Sequence, residues 1–319
     1  MSLRRFGLPD HVLNVISSIY SDRQFFVEEC GVRSCAAPQS SGICQGCPLS
    51  PFLFGIVMTT LMSDAYDLLG QSARHDCDLG LLYDILYADD TLLLGSAACH
   101  VEELANAVAI VGLQYGLSLH WQKTQALSVG TATPLRRPDG TVINDSGTMI
   151  YLGGLLASNQ GSQSELSRRI GLAASTFRSL AKVWSHSGVQ VVDKLKYFNC
   201  FVISVLSYGL STLPFTKEQS RRMDGFHARC LRRILKIPAA FYSRISNQDV
   251  FKKAGVLPFS KQLLSRQVTL FRQVMKSPAG DPLRRNTLTN QNQSYMDLFV
   301  RRRGRPQLNW TDYVMKHAT

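Results

Sequence analysis

Apolar residues recur at spacings of three and four along much of this chain, a pattern typical of helices that bury one face. Near residue 90 the pattern changes, because two short apolar runs, Ile85–Tyr87 and Thr91–Leu94, flank a pair of aspartates. Two such runs around a polar pair predict a strand, a tight turn and a returning strand. We therefore expect an α+β fold with an antiparallel sheet backed by helices.

Helical spacing predicts further elements on both sides of this hairpin. Ser50 and Pro51 are expected as the N-cap and first residue of a helix. The apolar positions of this helix run from Leu53 to Leu69, and Gly116 is expected to end a later helix. The other predicted elements are a helix with apolar positions from Val12 to Tyr20, a strand at Phe25–Val27, helices at Val101–Tyr115, Ser164–Trp184, Val189–Tyr208 and Lys217–Leu235, and a strand and turn at Leu117–Thr124.

The aspartates at the hairpin, Asp89 and Asp90, are the first candidates for chemistry. Burying an unpaired carboxylate costs several kcal/mol. A pair set in aliphatic sequence therefore needs either an exposed turn or a cation that offsets its charge. No Lys or Arg occurs between Arg74 and Lys123. Carboxylate oxygens are the ligands of hard divalent ions, which predicts Mg²⁺, or Mn²⁺, at Asp89 and Asp90.

Four segments in order along the chain carry a resemblance to one family. Tyr87–Asp90 resembles the Tyr-Ala-Asp-Asp box of reverse transcriptases, with the alanine of the non-LTR retrotransposon and group II intron branch. Gln45–Phe54 resembles the QGxPLSPxLF box, and Met149–Leu156 resembles the YLG element. Leu117–Thr124 resembles the GLxLNxxKT box, although His120 stands where the family usually has residues of a Leu-Asn pair. Because the four segments follow the order of the family's motifs, we interpret Tyr87–Asp90 as the family's box rather than as an ordinary solvated Asp-Asp turn.

The resemblance implies RNA-templated DNA synthesis, in which two metals assist the transfer of a nucleotide to a primer. Asp89 would be a direct metal ligand, Asp90 would share or tune the metal, and Tyr87 would lie near the primer end. An RNA template, a DNA primer and a nucleoside triphosphate are the implied partners. The remaining implied contacts to substrate or primer are Gln45, Gly46, Lys123, Tyr151, Leu152 and Gly153. Lys123 is equally well interpreted as a surface lysine after a strand.

The family's metal site also needs a carboxylate from a strand before the QG box. Asp10 is predicted to be a helix N-cap and Asp22 to lie in a turn, so neither of them follows an apolar strand in the 44 residues before Gln45. We therefore expect no processive polymerase activity from this polypeptide alone. A missing amino-terminal segment or a nuclease domain of a longer polyprotein would be a further partner. A nucleic-acid-binding remnant without catalysis and a relic without function are the alternatives.

Charge is divided unevenly along the chain. Residues 1–158 hold 8 Lys and Arg against 15 Asp and Glu, whereas residues 159–319 hold 27 against 8. Together with this division, the resemblance implies a partial palm at 1–158 and a basic helical thumb or connection region at 159–276, followed by a linker with an Arg-rich tail at 277–319. A basic half fits a phosphate backbone, although a charge run is also typical of a solvated helix face. The predicted nucleic-acid-binding residues are Arg221, Arg222, Arg229, Arg232, Arg233, Arg301, Arg302, Arg303 and Arg305.

Cysteine and histidine add little to this interpretation. Among the 8 cysteines, only Cys44 and Cys47 have metal or redox spacing, and no second pair or neighbouring histidine completes a zinc set. The sequence contains no recognisable Ser/His/Asp series. No apolar run reaches the length of a membrane span, so we expect no membrane insertion. Nothing in the sequence indicates a secretory context, so we expect free thiols and an intracellular location, nuclear or cytoplasmic.

Overall fold

A computed structural model of the chain describes residues 2–39, 41–44, 46–130, 133–158, 162–288 and 309–318. The chain divides into two compact units, Met1–Ser146 and Gly147–Thr319. Helices predominate in both, and each unit also contains antiparallel hairpins, which confirms the predicted α+β class. The functional division at residues 158 and 276 stays a prediction.

The first unit contains a hairpin between helices and four very short strands near its start. Its elements are α1 Ser2–Arg5, α2 Asp10–Tyr20, β1 Gln24–Phe25, β2 Glu28–Glu29, β3 Val32–Arg33, β4 Ala37–Pro38, α3 Ser50–Asp67, α4 Gln71–Asp78, β5 Leu82–Tyr87, β6 Asp90–Gly95 and α5 Ala98–Gln114. Strand β1 pairs with β4, β2 pairs with β3, and β5 pairs with β6, each in antiparallel orientation.

The β5–β6 hairpin confirms the predicted strand, turn and returning strand. Its register pairs Leu82 with Gly95 and Tyr87 with Asp90. Because side chains alternate along a strand, Leu82 and Leu86 share one face, and both belong to the core formed with α3, α4 and α5. Leu82 is 1% exposed, and burying a leucine of this kind contributes about 1.5–3 kcal/mol. The core thus anchors the hairpin along its length.

A charged cluster joins three helices of the first unit. The Arg5 guanidinium donates to both carboxylate oxygens of Asp64, at 2.5 and 2.7 Å, and thereby links α1 to α3. The Tyr115 hydroxyl, just after α5, donates to the same carboxylate at 2.6 Å. The Arg5 hydrogen bonds, followed by that of Tyr115, lower the pKa of Asp64 to about 2.

The second unit begins with a hairpin and continues as helices. Its elements are β7 Thr148–Tyr151, β8 Gly154–Ala157, α6 Ser162–Ser179, α7 Ala181–Ser185, α8 Val191–Tyr197, a π-helical segment Phe198–Ile203, α9 Ser204–Ser207, a 3₁₀ turn Leu210–Thr212, α10 Lys217–Ile234, α11 Ala240–Ser243, α12 Asn247–Ala254, α13 Phe259–Lys276, α14 Pro282–Thr287 and α15 Trp310–Ala318. Helix α10 begins at a capping box. The Thr216 hydroxyl accepts from the backbone N–H of Gln219, and the side-chain oxygen of Gln219 accepts from the backbone N–H of Thr216.

Aromatic rings pack closely in the core of this unit. His227 on α10 is 1% exposed, stacks on Phe198 with centroids 5.7 Å apart, and contacts Phe251. Its Nδ1 atom is buried and has no hydrogen-bond partner within the described part of the chain. Burial therefore lowers the pKa of His227 to about 4.

Several predicted boundaries differ from the structure. Ser50 is the first residue of α3 rather than its N-cap, because its hydroxyl donates to the Cys44 carbonyl at 2.8 Å instead of capping the helix. Asp10 likewise begins α2, and Pro9 occupies the N-cap position. The predicted strand at Leu117–Thr124 is wrong, since this segment is irregular and then forms a turn. Phe25 is the only residue of the predicted Phe25–Val27 strand that pairs as a strand.

Part of the segment predicted as a linker is helical. Helices α14 and α15 pack against α13, and Leu288 and Val314 are buried in this small core. The Trp310 ring lies 6.2 Å from that of Phe271, and its indole N–H donates to the Ser211 carbonyl at 2.8 Å. The tryptophan therefore anchors the last described helix. No helix among the described residues is long and apolar enough to span a membrane.

We predict that Asp64→Asn lowers the free energy of unfolding by about 1 kcal/mol, because the amide loses part of the hydrogen bonding to Arg5. The folded pKa of Asp64 is depressed to about 2. Its contribution is therefore complete above the ordinary value of about 4 and disappears as the pH falls from there through 2. Urea unfolding across this range measures the effect. Asp67→Asn removes a carboxylate from the same helix as a control, and an equal loss in both variants would contradict the prediction.

We also predict that the second unit loses stability as the pH falls from about 6.5 to 4. The pKa of His227 is lower in the folded state, about 4, than in the unfolded state, so the unfolded chain takes up the proton first. The expected slope is about 1.4 kcal/mol per pH unit, and His227→Leu should remove it. His186→Gln, which replaces an exposed histidine, should retain the slope. Thermal unfolding at several pH values distinguishes these outcomes.

Candidate active site and nucleic-acid interface

The Asp-Asp pair lies at the tip of the β5–β6 hairpin. Ala88 has a φ of +51°, a left-handed conformation that completes the tight turn before Asp89. Asp89 and Asp90 are both exposed. Asp90 pairs with Tyr87, which is 63% exposed, so both side chains lie on the face opposite the buried leucines. The turn therefore presents the carboxylates to solvent rather than to the core.

A third carboxylate of the hairpin lies on the other face. Asp84 pairs with Leu93 and follows the alternation of the core side. The Tyr66 hydroxyl on α3 donates to the Asp84 carboxylate at 2.6 Å. Burial, followed by this hydrogen bond, raises the pKa of Tyr66. Asp84 thus fastens the hairpin to α3 and points away from Asp90.

The donor set at the tip fits a divalent ion in its chemistry. Asp89 and Asp90 offer the carboxylate oxygens that Mg²⁺ and Mn²⁺ prefer, and their exposure leaves room for water ligands. Within the described residues, no group of three or more His, Cys, Asp or Glu side chains could hold a metal ion. The two aspartates therefore form a partial donor set.

The two aspartates before the QG box have other surroundings. Asp10 forms an ion pair with Arg4 at 2.9 Å, and both side chains are largely exposed. Asp22 has a φ of +50° in the turn after α2, which confirms that it lies in a turn. Neither residue belongs to a strand, so neither reproduces the carboxylate-bearing strand that the family's metal site uses.

The QG segment leads into α3. Gln45 lies outside the described residues, and Gly46 has a φ of +83°, which favours glycine. Before it, the Arg23 guanidinium donates to the Cys44 sulfur at 2.8 Å and to the Gly42 carbonyl at 2.8 Å. These contacts fix the chain before Gly46, but the predicted substrate contacts of Gln45 and Gly46 stay predictions.

Lys123 lies in the turn that follows the irregular segment after α5. Its amide donates to the His120 carbonyl at 2.8 Å, and its side chain is exposed. No hydrogen bond or ion pair of the Lys123 ammonium occurs among the described residues. The geometry is compatible with both predictions for Lys123, the phosphate contact and the surface lysine.

The YLG element forms the turn between β7 and β8. Tyr151 pairs with Gly154, and the two residues between them, Leu152 and Gly153, have φ values of +46° and +72°. Two consecutive left-handed residues are typical of a type I′ hairpin turn. For leucine this conformation costs about 1–2 kcal/mol, so the surroundings must stabilise it. The turn belongs to the second unit, and its predicted contact with the primer stays a prediction.

Three of the predicted basic residues lie along one exposed line of α10. Arg222, Arg229 and Arg233 are spaced by seven and four residues, which places them on one side of a helix, and all are exposed. Arg222 also donates to the Ser167 hydroxyl at 3.0 Å. We call these three residues the basic stripe. Arg221 is exposed as well, and Arg301, Arg302, Arg303 and Arg305 lie outside the described residues.

Arg232 does not belong to this surface. It is 6% exposed, and its guanidinium donates to the Pro238 carbonyl at 3.0 Å and the Ile245 carbonyl at 2.6 Å. It also donates to the Ser243 hydroxyl and the Asn247 amide oxygen. The prediction of Arg232 as a nucleic-acid contact is therefore corrected, because its donors hold the loop after α10.

The structure also brings together a Ser/His/Asp series that sequence reasoning missed. His100 on α5 lies 2.6 Å from Asp76 through Nδ1 and 3.1 Å from the Ser72 hydroxyl through Nε2. Ser72 and Asp76 are four residues apart on α4, and this spacing was the available signal. The series fastens α4 to α5 beside the hairpin.

The comparison with known protein families agrees with this geometry. The model of the family described as reverse transcriptase (RNA-dependent DNA polymerase) matches residues 2–164. The match includes the Asp-Asp hairpin and the β7–β8 turn. Since it covers more than half of the 319 residues, the chain belongs to the reverse transcriptase family.

Proposed function

We propose that Asp89 and Asp90 form one side of a two-metal site that joins a primer 3′-hydroxyl to a nucleoside triphosphate on an RNA template. The exposed carboxylate pair at the hairpin tip is the observation that carries this proposal. This chain belongs to the reverse transcriptase family, whose members act on nucleic acid and nucleotides. The alanine before the aspartates, Ala88, favours the non-LTR retrotransposon branch.

The residues of the hairpin would have different roles in this reaction. Bound metal would neutralise charge on the phosphates and lower the barrier to in-line displacement. Asp89 and Asp90 would hold it, while Tyr87 on the same face as Asp90 would pack against the primer end. Tyr66 and Asp84 hold the hairpin against α3, which limits the motion of its tip.

We also expect that this chain alone does not extend a primer processively. Two metals need more carboxylate oxygen than Asp89 and Asp90 provide, and the described residues place no third acidic group beside them. We infer that catalysis requires a further carboxylate from another segment or another chain.

We predict that the purified chain, with Mg²⁺ or Mn²⁺, leaves a DNA primer on an RNA template unextended. Denaturing electrophoresis after incubation with all four deoxynucleoside triphosphates is the measurement. Circular dichroism confirms that the assayed protein is folded. Extension over many nucleotides that disappears in Asp89→Asn would contradict the expected incompleteness, although it would support the metal role of Asp89.

A second candidate function is nucleic-acid binding without catalysis. The basic stripe supports it, because three exposed guanidinium groups follow one side of α10 at intervals that a phosphate backbone can follow. Residues 159–319 carry 27 Lys and Arg against 8 Asp and Glu, which adds a favourable long-range field.

We predict that Arg229→Ala and Arg233→Ala each weaken binding to an RNA–DNA primer–template duplex. Each variant should lower the slope of log affinity against log salt by about 1, because one phosphate contact is lost. Fluorescence anisotropy at several salt concentrations measures both quantities. Arg4→Ala removes the same charge from the first unit as a control. Equal effects of all three variants would indicate a general charge effect and would contradict a specific role of the stripe.

A further inference from the structure

Side chains from later helices hold the two-residue turn of the YLG element. The Tyr208 hydroxyl, just after α9, donates to the Leu152 carbonyl at 2.6 Å. Two arginines of α6 donate to the next carbonyl, that of Gly153, which Arg168 contacts at 2.6 Å and Arg169 contacts as well. Both carbonyls of the left-handed turn are thus fixed by groups outside the hairpin.

A buried glutamate orients these arginines. Glu165 is 2% exposed and accepts from Arg169 Nε at 2.6 Å and from Arg168 Nε at 2.7 Å. Its carboxylate also accepts from the Leu155 amide of β8 at 3.3 Å. Burial alone would raise the pKa of Glu165, but the two arginine hydrogen bonds outweigh it and keep the pKa below its ordinary value. The carboxylate therefore stays ionised and holds both guanidinium groups against the turn.

The ring of Tyr208 closes the remaining side. The Arg169 guanidinium lies 4.6 Å from its ring centroid. A side-chain carbon added to Gly153 would lie 3.6 Å from the same ring, so the ring packs directly against this glycine. Glu165, Arg169 and Tyr208 form one connected group, which we call the turn lock.

The turn lock determines where a backbone donor points. In a trans peptide, the carbonyl of Leu152 and the N–H of Gly153 point in opposite directions. Because Tyr208 holds that carbonyl, the Gly153 N–H is fixed on the other side of the turn. The hydrogen bonds of the described residues supply no acceptor for it. The donor is therefore oriented before any ligand arrives.

We propose that Glu165, Arg169 and Tyr208 are positioning residues that preset the Leu152–Gly153 turn for contact with the primer strand. This inference rests on the proposed function and on the predicted contact between the YLG element and the primer. The turn lock acts by shape, because Arg169 is buried and its charge is balanced by Glu165. The basic stripe acts by charge, so the two contributions can be separated.

Tyr208→Phe in the full chain tests the turn lock, because it removes the hydroxyl and keeps the ring. We expect amide hydrogen exchange over residues 148–157 to accelerate about fivefold, the effect of one lost hydrogen bond. The affinity for an RNA–DNA primer–template duplex, measured by fluorescence anisotropy, should weaken by at most the same factor, because it falls with the fraction of chains in which the turn is preset. The slope of affinity against salt should not change, since no phosphate contact is removed.

Two further variants provide a second test of the turn lock and a control. Arg169→Lys keeps the positive charge but loses one of the two guanidinium forks that join Glu165 to the Gly153 carbonyl, the other being that of Arg168, and it should reproduce both effects of Tyr208→Phe in the same direction. Tyr197→Phe removes an exposed hydroxyl from α8 and should change neither exchange nor affinity. A loss of affinity without faster exchange in the hairpin would overturn the positioning role.

The remaining outcomes separate this inference from the proposed function. Faster exchange in Tyr208→Phe with duplex affinity equal to that of the unmodified chain overturns the positioning role and leaves nucleic-acid binding intact. A chain that binds no duplex, with or without the substitution, refutes the proposed function and the positioning role together. Unchanged exchange in both Tyr208→Phe and Arg169→Lys would show that these side chains do not stabilise the turn, and it would overturn the positioning role.

Discussion

Strand alternation in the β5–β6 hairpin keeps the unpaired carboxylate of Asp90 out of the core. One face carries Leu82 and Leu86 against α3, α4 and α5, and the other carries Tyr87 and Asp90 into solvent. A shift of one residue in the register would move Asp90 to the buried face, where an unpaired carboxylate is strongly unfavourable. Packing of the leucines therefore fixes the position of the aspartates. The cluster of Arg5, Asp64 and Tyr115 in turn links α3, one of the helices that cover these leucines, to α1 and to the end of α5.

The second unit solves a related problem with buried charge. Its YLG turn requires left-handed backbone at Leu152, and the turn lock supplies the hydrogen bonds that stabilise this conformation. Arg169 and Glu165 satisfy each other in the interior, so that the ion pair orients the turn rather than attracting phosphate at long range. Arg232 has a comparable structural role after α10. Among the predicted basic residues that the structure describes, Arg221 and the basic stripe are exposed to a ligand.

The hairpin, the main helices and the family could be predicted from the sequence, because apolar periodicity and ordered motifs are local signals. The burial of Arg232 could not, since its acceptors at Pro238 and Ile245 depend on how the following loop folds back. The strand predicted near Leu117 was wrong because the segment finds no partner strand among the described residues. His100 meets Ser72 and Asp76 only through the packing of two helices. Glu165 gave no sequence signal beyond its place on a helix, and its role depends on tertiary contacts with the turn.

Asp89 and Asp90 provide only part of a metal site, and Mn²⁺ binding distinguishes such a site from a complete one. Electron paramagnetic resonance of free Mn²⁺, titrated with the full chain, measures the number of bound ions and their affinity. We expect weak binding, on the order of millimolar, that is lost in Asp89→Asn and kept in Asp10→Asn. Tight binding of two ions by the unmodified chain, or binding that survives Asp89→Asn, would contradict it.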